Sequence, residues 1–133
     1  MFATDQAAPE QAERRNPAHA KLRRVLENAQ IPVDIDARLL PTIAMFSEGK
    51  KESGKPLDGA HVVTQIRNRI LHPEGAQDAI YQPTLDGLVA EVWQLTRHYL
   101  TLLILHSLDY RGSYRDLRKT TGWAGETSPV PWT

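Results

Sequence analysis

Cysteine is absent from the 133 residues. That excludes disulfide staples and thiolate metal sites, and it fits a reducing compartment. Net charge is absent as well, since 16 Lys and Arg balance 16 Asp and Glu. No global positive field therefore draws in nucleic acid or an anionic membrane, and any RNA affinity has to be local. Long hydrophobic runs are missing: the longest, Leu102-Leu103-Ile104-Leu105, falls far short of the roughly 18 residues of a membrane span. Neither an HExxH pattern nor a cluster of three carboxylates occurs, so no metal or other cofactor is expected. Residues 1–16 hold Asp5, Glu10, Glu13, Arg14 and Arg15 without an apolar run, which is not the pattern of a signal peptide. No strand pattern of useful length and no repeat is visible. These absences predict a cytoplasmic protein with no membrane partner.

What is present is helical periodicity in a chain of the length and apolar content (41%) of one domain. Residues 1–16 read as a flexible leader and 17–133 as a single helical domain with a docked tail. Leu22, Val25, Leu26 and Ala29 recur at helical spacing after Pro17, and Ile31-Pro32 ends the segment. Asp34 or Asp36 is expected to cap a second helix carrying Leu39, Leu40, Ile43 and Phe46, with Pro41 close to its start or at a kink. Asp58 is expected to cap a third, with Val62, Ile66 and Ile70 as its apolar stripe. A longer helix is predicted from Thr84 or Asp86 to about Tyr110. Its main stripe is read as Leu88, Val89, Val92, Trp93, Thr96, Tyr99, Leu100 and Leu103. Leu95, Leu102 and Leu105 spread apolar surface to another side, so this helix needs partners on two sides. A second copy of the chain and a folded-back C-terminal segment containing Trp123 and Trp132 are the two candidates.

Chemistry is most concentrated at Arg67-Asn68-Arg69-Ile70-Leu71-His72-Pro73. Pro73 disfavours helical geometry at His72 and places it at a helix C-terminus, where the macrodipole favours an imidazolium. Asn68 lies one turn before His72, and Arg67 projects at the edge of the apolar stripe. The spacing alone is weak: with 11 Arg and 5 His, it recurs at Arg14 and His19. A plain structural role is the competing reading, with Arg67 paired to Glu74 or Asp78 and His72 serving as a cap. The basic cluster Arg111, Arg115, Arg118 and Lys119 reads as a solvated face, or as an RNA-backbone contact if it borders a cleft.

Arg67-Asn68 followed by His72-Pro73 on the third of four helices resembles the active-site signature of HEPN domains. Together with Trp93, Leu95, the apolar helix through Leu105, Tyr110-Arg111-Gly112-Ser113-Tyr114-Arg115 and Val130-Pro131-Trp132, it resembles the C-terminal HEPN domain of ApeA-like anti-phage defence proteins. The resemblance implies an all-α four-helix bundle with an irregular C-terminal tail, forming a symmetric homodimer. It further implies a metal-independent endoribonuclease in defence or a toxin-like role, with Arg67, Asn68 and His72 catalytic at a composite two-copy site and RNA as substrate. An upstream sensing or regulatory partner would accompany such a domain. The alternative within the same resemblance is a non-catalytic dimerisation or RNA-binding module.

Overall fold

The computed structural model describes residues 17–49, 54–72, 86–119 and 126–132. The expected leader, the 73–83 connection, Glu74, Asp78, Thr84 and Trp123 lie outside the described residues. Among the described residues four helices carry the fold: α1 (Ala18–Asn28), α2 (Pro41–Gly49), α3 (Gly59–Leu71) and α4 (Leu88–Ser107). A two-residue antiparallel pair, β1 (Ser113–Tyr114) with β2 (Ser128–Pro129), follows in register Ser113 to Pro129. α1 packs on α3, and both α2 and α3 pack on α4. Leu26, Ile43, Val62, Ile66, Leu88 and Leu95 are among the side chains fully enclosed between them.

The helix boundaries follow local chemistry with two departures. Asp58 caps α3 as expected, its side chain accepting from His61 N at 2.9 Å, and His72 closes the helix with its amide on Asn68 O. Asp36 does not cap α2. It builds a turn instead, with its backbone O accepting from Leu39 N and Leu40 N and its Oδ1 from Arg38 N. The cap of α2 comes from α4: Glu91 Oε1 accepts from both Thr42 N and Ile43 N at 2.9 Å, satisfying two of the amides a helix start leaves unpaired. A contact across 49 residues of chain has no local sequence signal. The start of α4 also differs from expectation, because Gly87 is the N-cap with φ 91° and no side-chain cap bond. Glycine takes that left-handed backbone without strain.

The apolar stripe of α3 is shorter than its pattern. Val62 and Ile66 are buried, but Ile70 and Leu71 are about half exposed. α4 buries Leu88, Val92, Leu95, His98, Tyr99 and Leu102. Val89, Trp93 and Leu100, read as part of the same stripe, face outward. The tail does fold back. Val130 is buried, its amide donates to Gly112 O, and Trp132 Nε1 donates to Tyr110 O at 2.8 Å while its ring meets His106 edge-on.

Candidate functional site

Arg67, Asn68 and His72 are all exposed at the C-terminal end of α3. Arg67 Nη1 donates to Asn68 Oδ1 at 3.3 Å, and His72 N donates to Asn68 O at 2.7 Å. The three thus share one helix end, where Arg67 and Asn68 meet through their side chains and His72 is tied to Asn68 through the backbone. His61, one face further up the same helix, does not join them. Its ring stacks on His19 of α1, with centroids 3.8 Å apart and planes within 9°.

The basic residues of the tail disperse. Arg111 is exposed and pairs with Asp109 at 3.2 Å, while Arg115 is exposed on the same segment. Arg118 turns inward and holds Asp116 with two side-chain bonds, Nη2 to Oδ2 at 2.7 Å and Nε to Oδ1 at 3.0 Å. Lys119 pairs with Glu126 at 3.1 Å. Arg118 and Lys119 line an open cleft of about 480 Å³ together with Asp36, Arg38, Tyr114 and Asp116. Each of the cations there has its own carboxylate, Asp36 serving Arg38. The cleft is therefore close to neutral, which is a poor field for a phosphate backbone.

Two polar groupings had no sequence signal. The first joins α4 to the tail. His98 Nδ1 lies 3.3 Å from Asp116 Oδ1, within ion-pair range but outside hydrogen-bond geometry, and both side chains are 4% exposed. Burial by itself would raise the Asp116 carboxyl. His98 and the two-pronged Arg118 guanidinium, with the Arg118 backbone N–H, outweigh that and hold it well below the usual carboxylate range. The second grouping joins α1 to α3. Arg23 donates to both oxygens of Asp58, at 2.5 and 3.0 Å, and its Nη2 sits 3.1 Å from His19 Nδ1. The Asp58 carboxylate therefore serves the helix cap and an ion pair at once, and its pKa is lowered despite the opposing effect of burial. His19, dismissed as half of a chance spacing, is placed by α1 packing on α3. Arg23 lies one turn along the same helix, but the His61 ring is 42 positions away and Asp58 is 35 from Arg23, beyond any local pattern.

Among the described residues no group of three or more His, Cys, Asp or Glu is arranged to hold a metal ion. No helix among them is long and apolar enough to cross a membrane.

What these elements define is a small, mainly helical domain closed by a short two-stranded tail. The family model described as the YopA C-terminal domain matches residues 2–129, and the chain belongs to that family. No curated protein and no solved structure matches it. The resemblance to HEPN domains is thereby overturned, because the family that matches nearly the whole chain is a different one. The physical reason is the brevity of the motif. An arginine five positions before a histidine arises readily at the end of any helix with a basic exposed face. The Tyr110 to Arg115 segment has a local structural role of its own, with Tyr110 Oη donating to Ser113 O at the turn leading into β1. The composite two-copy catalytic cleft and the upstream sensing partner rested on that resemblance alone.

Proposed function

We propose that the chain is a self-association module, a helical domain that pairs with a second copy through the outer face of α4. One observation carries this reading: with the tail already docked, α4 and its C-cap still expose Val89 (45%), Trp93 (62%), Leu100 (57%), Ile104 (50%) and Leu108 (71%). Together these five side chains present on the order of 500 Å², at the upper end of what a monomer leaves as one patch. That is most of the roughly 800 Å² that each partner contributes to a standard interface. Between Val92 and Leu108 the only Lys, Arg, Asp or Glu is Arg97, whose guanidinium lies 5.9 Å over the Trp93 ring. In sedimentation equilibrium at concentrations well above micromolar, the protein is expected to be a dimer. Leu100→Lys is expected to be a monomer with unchanged helical circular dichroism, since added cations would be desolvated beside Arg97 at the centre of the contact. A wild-type monomer defeats the reading.

A second reading, metal-independent RNA cleavage, is favoured by the exposed grouping of Arg67, Asn68 and His72 on one helix end. There His72 would move the proton of an attacking ribose 2′-hydroxyl and Arg67 would offset charge on the phosphorane-like transition state. Cleavage of tRNA in EDTA is then expected to fall by about 10²–10⁴-fold in His72→Ala. Cleavage that survives the substitution removes His72 from the chemistry.

A further inference from the structure

We infer that the two copies pair with their α4 helices antiparallel, about a two-fold axis that passes between residues 98 and 99. This rests on the self-association proposed above and adds its orientation and register. The exposed large apolar side chains of α4 and its C-cap Leu108, taken with the exposed Arg97, fall at 89, 93, 97, 100, 104 and 108, in steps of four, four, three, four and four. That series is symmetric about its own centre. Val89 and Leu108, Trp93 and Ile104, and Arg97 and Leu100 are each equidistant from the same point. A perpendicular two-fold axis at that point sets every member of a pair against its counterpart on the other copy, which is what an isologous interface requires.

Parallel pairing would also match the stripe to itself, but on worse terms. It would place Trp93 against Trp93 and Arg97 directly against Arg97, two like charges in a contact that excludes water. The antiparallel arrangement sets each Arg97 against an apolar Leu100. Each guanidinium already leans over its own Trp93 ring, toward the N-terminus of its helix. In an antiparallel pair those two directions diverge, so the charges separate at the point where the helices approach most closely. Trp93, the largest side chain of the stripe, then meets Ile104 rather than a second indole, and Val89, the smallest apolar one, meets Leu108. The helix dipoles also oppose one another.

The absence of cysteine makes the test direct, because an introduced cysteine is the only attachment point for a spin label. With labels on Val89→Cys, double electron–electron resonance is expected to give an interchain distance of about 30 Å or more, since nineteen residues of helix at about 1.5 Å each separate positions 89 and 108. Dimers mixed from Val89→Cys and Leu108→Cys chains are expected to show a much shorter distance. A short distance in the Val89→Cys homodimer and a long one in the mixture would mean parallel pairing, and would overturn this inference while leaving the dimer intact. Long distances in both samples, with a dimer that Leu100→Lys fails to dissociate, would place the interface elsewhere and overturn the inference and the proposed surface together. A protein that sediments as a monomer and shows no interchain coupling would overturn the self-association itself.

Discussion

Asp116→Ala is expected to lower the unfolding free energy by about 3–5 kcal/mol, the usual cost of removing one partner from a buried ionic group. For a domain whose total stability is of the order of 5–15 kcal/mol, that is a large fraction. The side chain is 4% exposed and carries three separate duties. It accepts from Arg118 N at 3.0 Å and so shapes the turn at residues 116–119, it holds the Arg118 guanidinium at two points, and it faces the buried His98 ring. Without it a partly buried cation and a buried imidazole are left with no counterpart. Asp116→Asn keeps the shape and an oxygen for the Arg118 amide but loses the charge, so its loss should be smaller. Urea unfolding followed at 222 nm separates the three proteins.

The same residue sets a pH dependence with a defined sign. Its folded pKa lies well below the ordinary value of 3.8, so as pH falls the unfolded chain takes up the proton first. The contribution of Asp116 is therefore complete above about pH 5 and declines progressively as pH falls through and below about 4. Stability of the wild type should fall with acid over that range more steeply than that of Asp116→Asn. Parallel acid profiles for the two proteins would remove the carboxylate from this role.

Gly59→Ala is the second large effect expected, and it runs against helix propensity. Alanine near the first turn of α3 would ordinarily help by up to about 1 kcal/mol. Here a Cβ would overlap the Tyr99 hydroxyl and stand 3.1 Å from Val33 O, the same carbonyl that accepts the Gly59 amide. Tyr99 is 4% exposed and hemmed in by the core, so it has little room to yield. A net loss of about 1–3 kcal/mol is expected from overpacking. The Tyr99 hydroxyl finds no hydrogen-bond partner among the described residues, and burial raises its pKa, so it stays neutral at ordinary pH. Tyr99→Phe should for that reason cost little or even stabilise. In the double variant the alanine gains the space the hydroxyl occupied, and most of the loss should return. A double-mutant cycle with no coupling between the two positions would refute the steric account.

The polar groupings explain why sequence reasoning placed elements better than sites. Asp58 was legible as a cap because capping acts over three residues. Its second role, gripping Arg23 from 35 positions away, was not. His98 stands among apolar residues along α4, and only the return of the tail across that helix set Asp116 beside it. Arg118 and Lys119 looked like a solvated basic face because a charge run carries no record of the carboxylates that will meet it. The Arg67, Asn68 and His72 grouping was legible, being held within one helical turn of chain.

By itself the sequence determined the mainly helical character of the chain, the cap at Asp58 and the stop at His72, since all of these depend on residues a few positions apart. Tertiary structure alone decided which side of α4 is core and which is left open. Nearly every turn of that helix carries apolar residues on more than one side, so periodicity could not rank Leu95 and Leu102, which are buried, above Trp93 and Leu100, which are not. The choice was made by where α2, α3 and the tail pack, through contacts such as Glu91 on the start of α2 and Asp116 beside His98. Those contacts span tens of residues, and no local propensity encodes them.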